Sequence, residues 1–324
     1  MSPGAGDVTR STSVMKTKLI VNPASGQETA LGHLPAINAR LREHGDVDIV
    51  LTTGDGDGVE AGRRAALEGY DRVFVAGGDG TLNEVLNGLA QVDGALAAMT
   101  LAVVPLGTGN DFATAIGVPQ SPEDAVEALL GGAVASVDVG RVNDRCFLNV
   151  SAGGFIADVS DAVNPQLKTV LGKLAYLVGG AQVLLDYEPV AARVASAADT
   201  RDVSLLTFAV CNSRLIGGGR LIAPHAVIDD GWLDVCLIHA MPALDFVTLL
   251  RRVSSGDHVE DDRVTYFRTR AIELAFDRAI RINTDGQVLE ADRCRYEVLA
   301  GAARVLMPRI AGTTPESSRI AGPH

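Results

Sequence analysis

The sequence predicts two domains: an N-terminal α/β domain with a parallel sheet, followed by a mostly antiparallel β-sandwich domain. Three observations carry this. Residues 18–140 alternate short apolar runs with helix-like segments, the rhythm of strands joined by crossover helices. After about residue 140 the rhythm changes to short β-rich runs separated by turn residues, as in an antiparallel sandwich. The 324-residue chain is 47% hydrophobic, long enough and apolar enough for two cores.

In chain order, residues 1–17 ("MSPGAGDVTRSTSVMKT") have no apolar stretch of signal-peptide length and read as a disordered leader. The nucleotide-binding α/β domain is placed at 18–140. Its buried strands are "KLIVN" (18–22), "VDIVLTT" (47–53), "RVFVAG" (72–77) and "TLAVVPLG" (100–107). Helices lie between them at 29–43, with Leu31, Leu34, Ile37 and Leu41 at helical spacing, and at 57–69; Gly45 and Gly69 are the stops. A β-rich domain follows over 141–308, with strands at 145–153, 204–212, 233–239, 271–276, 279–284, 295–300 and 303–308. Two helical stretches, 168–186 and 242–253, interrupt it, and 309–324 reads as a disordered tail.

Composition excludes several functions. A net charge of −12 argues against a nucleic-acid binder, which needs Lys and Arg to neutralise phosphates. Cys146, Cys211, Cys236 and Cys294 lie far apart in apolar runs without a C-x-x-C pair, which indicates buried thiols in a reducing, cytoplasmic protein. The six histidines form no H-E-x-x-H pattern, so a zinc enzyme is not indicated. The longest apolar region, 170–185, is interrupted by Lys173 and Gln182 and is shorter than the roughly 20 residues of a membrane span.

The chemistry concentrates at strand ends. In "VFVAGGDGTLNEVLNGL" a strand runs into Gly77, Gly78, Asp79 and Gly80, and a helix starts from about Thr81. Glycines let backbone N–H groups approach a phosphate, and the helix N-terminus favours an anion. Asp79 repels phosphate, so its roles are to hold a magnesium ion bridging phosphates or to fix the loop and a hydroxyl. Alone, this loop reads equally well as an Asx-type turn. It is neither a Walker A loop, lacking G-K-[ST], nor a dinucleotide fingerprint, because Asn83 stands where a glycine is required. "PLGTGNDFA" (105–113) repeats the layout, with Thr108 between Gly107 and Gly109 and with Asn110 and Asp111 at the helix start. "VNPASG" (21–26) ends the first strand with Asn22, Pro23, Ser25 and Gly26. Three polar glycine loops at one sheet edge favour a ligand site over ordinary turns.

Together these segments resemble the diacylglycerol kinase catalytic domain, in the soluble bacterial lipid kinase branch that includes sphingosine- and ceramide-kinase relatives. "GGGRLIAPHAVIDDGWLDV" (217–235) resembles the same family's second-half segment, so the likeness spans roughly residues 18–308. The resemblance implies an N-terminal fold similar to phosphofructokinase and NAD kinase. It implies ATP contacts at Asn22, Pro23, Ser25, Gly26, Thr52, Gly77, Gly78, Asp79, Gly80, Thr81, Leu82, Asn83, Thr108 and Asn110. It also implies a structural magnesium ion (Mg2+) on Asp230 and the carbonyls of Val227 and Trp232, where Asp229-Asp230-Gly231 also reads as a hairpin turn.

In that family an Asp-Gly-Glu turn near the C-terminus is assigned the proton-accepting role. Here the turn is Asp285-Gly286-Gln287, so Asp285 is the base or the base is missing. Gln27 likewise stands where relatives often carry Lys or Arg. The catalytic set expected is Asp285, Asp79 and Gln287. Leu171, Leu174, Leu177 or Val178, and Leu184 line one side of the 167–189 stretch. That stripe suits packing on the β domain, and the resemblance places it near an acyl-chain cleft. The expected activity is an ATP- and magnesium-dependent kinase for diacylglycerol or a related lipid, collected in transient contact with a membrane. A homodimer stays open. The alternatives are a nucleotide- or lipid-binding homologue without catalysis, and a kinase for a soluble polyol or dinucleotide.

Overall fold

A computed structural model describes residues 15–26, 30–162 and 187–309. The expected leader up to residue 14, Gln27, the 168–186 stretch with its leucine stripe, and the tail from residue 310 lie outside the described residues.

The first half builds a parallel sheet. β1 (Lys16–Val21) pairs with β2 (Asp46–Leu51) on one side and β3 (Arg72–Gly77) on the other, and β4 (Thr100–Pro105) pairs with β3, all parallel. Every residue of β3 and β4 is buried, which is why these strands read as unbroken apolar runs. α1 (Ala30–Arg42), α2 (Asp57–Leu67), α3 (Asp79–Ala90), the short α4 (Ala95–Ala98), α5 (Asp111–Ala115) and α6 (Pro122–Leu130) cover or connect them. Ser121 caps α6 by accepting the Asp124 N–H, with Pro122 at the first helical position. Leu19, Phe74, Leu86 and Val104 sit at the centre of the core.

The second half is antiparallel. β5 (Ala133–Val142) and β6 (Arg145–Phe147) form a hairpin, and β7 (Val150–Gly154) leads into α7 (Phe155–Ala162). β8 (Val190–Ser196), β9 (Thr200–Cys211), the short pair β10 (Leu215–Ile216) and β11 (Arg220–Leu221), and β12 (Leu233–His239) follow. α8 (Ala243–Arg252), β13 (Val264–Thr269), β14 (Ala271–Thr284) and β15 (Gln287–Met307) complete the order. β7 and β8 both pair with β9 and β14, lying end to end between them. The sheet curls round a core of Phe147, Phe208, Leu233, Ile282 and Tyr296, while α8 packs a second layer on Phe246 and Leu249.

Two expectations are corrected. The runs 271–276 and 279–284 are one strand, and so are 295–300 and 303–308. Each apparent break is a bulge rather than a turn. Asp277 and Arg278 ride over the first, where Arg278 donates to the Glu188 carbonyl. Gly301 (φ 59°) sits in the second and donates its N–H to Asp138 Oδ1 at 2.7 Å. As one strand, β15 first pairs with β14, then with β5, and finally reaches β4 in parallel through Arg304 and Val305. The last strand of the sandwich therefore extends the first half's sheet.

Candidate active site

The C-terminal ends of the parallel strands carry the glycine loops. Asn22 follows β1, donates its N–H to the Ala76 carbonyl, and gives its side-chain amide to Thr81 Oγ1 at 2.9 Å. Pro23, Ser25 and Gly26 form the turn beyond it, Gly26 at φ 67°. Thr52 is buried just past β2, with its N–H on the Val21 carbonyl. Gly77 ends β3, Gly78 is the N-cap of α3, and Asp79 and Gly80 open the helix. Here glycine is required by contact: a Cβ on Gly107 would lie 2.5 Å from Gly78 Cα, and one on Gly77 would lie 2.8 Å from Thr81 Cβ. The two loops thus touch backbone to backbone. Thr108 is exposed at their rim, and Asn110 (φ 53°) closes its loop with reciprocal 2.9 Å bonds to Gly107.

Two expected positions point elsewhere. The Leu82 side chain is in the hydrophobic core, and Asn83 spends its amide on the Cys146 carbonyl at 2.9 Å.

Asp79 is partly buried and accepts three hydrogen bonds. The Asp111 N–H reaches Oδ2 at 3.0 Å, and Oδ1 takes the Phe112 N–H at 3.1 Å and Asn149 Nδ2 at 3.2 Å. Burial pushes its carboxyl above the usual range, and these bonds oppose the rise. Asp285 comes from the second half. It and Gly286 take φ 47° and 91° in the hairpin that joins β14 to β15, with Thr284 paired to Gln287, as a two-residue turn of the primed type requires. The tip presses on α3: a Cβ on Gly286 would lie 3.3 Å from Gly80 Cα.

Asp285 is 8% exposed, and both its oxygens are occupied. Leu148 N–H donates to Oδ2 at 2.7 Å, Val150 N–H to Oδ1 at 2.9 Å, and Asn149 N–H to both at 3.1 and 3.2 Å. Burial pushes its carboxyl up to about 6; the three N–H groups oppose this and the charge of Asp79 adds to it.

Asn149 escaped the sequence reading. Its backbone holds Asp285, its amide holds Asp79, and its Oδ1 is buried without a partner among the described residues. Asn212 and Ser213 donate their N–H groups to the Asn149 carbonyl, and each also buries an unpartnered side-chain oxygen. The signal available was a polar residue inside the apolar run "CFLNVSAG". Asp111 and Glu84 are further additions. Asp111 receives the N–H groups of Gly218 and Gly219 at 2.8–3.1 Å, tying that glycine loop to α5. Glu84 receives Gln287 Nε2 at 3.2 Å.

The expected metal residues lie apart from this cluster. Asp230 Oδ1 accepts the Trp232 N–H at 3.0 Å, and Oδ2 is paired with Arg268. Arg268 and Arg270 also lie over the Trp232 ring. Asp138 braces the turn from behind by accepting the Gly231 N–H at 2.6 Å. The one carboxylate proposed as a ligand already faces a guanidinium, and the other two proposed ligands are carbonyls, so this donor set does not fit a divalent ion without displacing Arg268. Among the described residues, no group of three or more His, Cys, Asp or Glu side chains is placed to hold a metal ion.

Comparison with known proteins agrees with this architecture. Residues 16–142 match the family described as diacylglycerol kinase catalytic domain, and 149–307 match the YegS C-terminal NAD kinase beta sandwich-like domain. The diacylglycerol kinase of Bacillus subtilis (strain 168) is 31% identical over 276 residues, covering 84% of this chain and 89% of that protein. That of Staphylococcus carnosus (strain TM300) is 30% identical over 273 residues, covering 84% and 88%. A crystal structure of a diacylglycerol kinase from Bacillus anthracis str. Sterne superposes with a TM-score of 0.74 at 28% identity, over 91% of this chain and 98% of that one.

Proposed function

The chain belongs to the diacylglycerol kinase catalytic-domain family, and from that premise we propose that it transfers the γ-phosphoryl group of magnesium-bound ATP to a free hydroxyl of diacylglycerol or a related lipid. The observation that carries this reading is the meeting of Asp79, on the nucleotide side, with Asp285, on the sandwich side, through the single residue Asn149.

Each part has a task that phosphoryl transfer needs. The Gly77–Gly80 loop and the α3 N-terminus face the phosphates with backbone N–H groups. The contact between Gly78 and Gly107 fixes the spacing of the two loops. Magnesium bound with the nucleotide would supply neutralisation of phosphate charge. Gln287 carries no proton-accepting group, and Asp285 is sealed under three N–H donors. Asp79 is the more exposed carboxylate of the pair. It accepts the proton of the lipid hydroxyl, while Asn149, itself fixed by Asp285, keeps it aimed and burial raises its affinity for that proton.

Among the described residues no helix is long and apolar enough to cross a membrane. In this reading a cytoplasmic enzyme takes the lipid in transient contact with a membrane surface. The test is incubation with labelled ATP, magnesium and a panel of lipids in mixed micelles, beside soluble polyols and an Asp285→Asn variant. Label on one lipid that is lost in the variant supports the proposal. Label on a polyol without lipid, or ATP binding without any labelled acceptor, overturns it.

A further inference from the structure

One contact between the halves pairs an amide with a carboxylate. Gln287 Nε2, at the start of β15, donates to Glu84 Oε1 in α3 at 3.2 Å. The same carboxylate receives the Gly56 N–H on Oε1 at 3.3 Å and the Gly58 N–H on Oε2 at 3.0 Å. Gly56 is the N-cap of α2 and Gly58 lies in its first turn. One side chain thus caps the helix that follows the Thr52–Gly54 loop and also receives the tip of the sandwich hairpin. The fit is close: a Cβ on Gly58 would lie 2.6 Å from Glu84 Oε2, and one on Gly80 would lie 3.7 Å from Gln287 Nε2.

We propose that Gln287 is a positioning residue, an uncharged donor that holds the Asp285 hairpin against the nucleotide loops through Glu84. The assignment deepens the kinase reading and rests on it for the identity of the ligand. Glu84 lies at the positive end of α2 and accepts only N–H groups, so its remaining neighbour has to be a donor. An acid at 287 would set two carboxylates at hydrogen-bonding distance, where one holds a proton or swings away. The amide is therefore matched in sign to Glu84, and the contact orders the nucleotide loops and the acceptor side together.

The test needs no lipid. ATP and ADP affinity is measured by calorimetry from pH 5.5 to 8 for the wild type, Gln287→Glu, Glu84→Gln and the double exchange Glu84→Gln/Gln287→Glu, with melting temperatures alongside. Gln287→Glu is expected to bind nucleotide progressively more weakly as pH rises, by roughly tenfold at the alkaline end. The double exchange restores binding at every pH, because carboxylate and amide have only traded places. Wild-type behaviour of Gln287→Glu throughout, or a double exchange no better than the single one, overturns the proposal. Lipid phosphorylation is assayed separately. There Gln287→Glu is expected to raise the KM for ATP more than it lowers kcat; the reverse split counts against positioning. If no variant labels any lipid but the nucleotide pattern holds, the kinase reading fails and the positioning role stands. If no variant binds ATP, melting decides: a Gln287→Glu melting temperature that falls with rising pH and recovers in the exchange supports the contact, and a flat series overturns it.

Discussion

The two ends of the parallel sheet make opposite use of the same strands. At the N-terminal end a groove of roughly 780 Å³ opens between Met15, Tyr70, Asp71, Met99 and Leu306. Its polar groups have ordinary partners: Asp71 accepts the Lys16 N–H at 2.7 Å, and Tyr70 donates to Asp48 at 2.6 Å. At the C-terminal end glycine backbones touch and two acids approach through one asparagine. Among the described residues, two of the three non-glycine residues with positive φ, Asn110 and Asp285, stand there. Buried oxygens of Asn149, Asn212 and Ser213 lack partners among the described residues, in a protein interior where such atoms are normally satisfied. At the N-terminal end the polar groups are matched. Strained backbone and unmatched polarity mark the end that works.

The largest loss is expected at Asp79. Asp79→Asn keeps the shape and removes the proton acceptor, so lipid phosphorylation should fall by about 10²–10⁴-fold; labelled-ATP transfer by a variant with an unchanged circular dichroism spectrum checks this. Gly107→Ala comes next. Its Cβ meets Gly78 Cα, a backbone atom that cannot swing aside, so about 1–3 kcal/mol of stability should be lost together with nucleotide affinity. Denaturant melts and calorimetry read both.

A pH series sharpens the contrast further. Asp285 is pushed up to about 6 in the folded chain, above its unfolded value near 4. A carboxyl with a raised folded pKa favours folding while it is protonated. Its contribution is therefore present at pH 4 and below, and is lost as pH rises to about 6. Across that window the wild type should lose roughly 2–3 kcal/mol relative to Asp285→Asn, read as the difference between their stability profiles. The smallest effect belongs to the resting end. Arg304→Ala in the groove removes an exposed side chain whose hydrogen bond is a single long one to the Ala98 carbonyl. Stability should stay within about 0.5 kcal/mol and transfer should be unchanged. A larger loss of activity would make the groove part of the machinery.

The parallel half was legible because buried strands leave continuous apolar runs: 72–77 and 100–105 were found nearly to the residue. In the sandwich, Asp277-Arg278 and Gly301 looked like turns, because a bulge uses the same residue types as a turn. β5 was missed, since its exposed start, Ala133–Ser136, has no strong apolar signature. At the site, the glycine loops and the Asp-Gly turn could be read from local backbone chemistry. Asn149 and Glu84 could not, because their partners lie 70 and 203 positions away and only the folded chain brings them together. Arg268 is the same kind of case: nothing local to Asp230 announces a guanidinium 38 residues on.

The course of β15 has a consequence for biosynthesis. β4 leaves the ribosome with one edge unpaired, and its partner on that side is Arg304–Val305 of the final strand. About 200 residues separate the two, on the order of 10–40 s of synthesis at ordinary elongation rates. Throughout that interval the nascent first half presents the edge of an apolar strand, of the kind that recruits other chains. Its protection has to come from the translation machinery's own chaperones or from provisional cover by β5, which pairs early with β6 but gains its other partner only when the same late strand arrives.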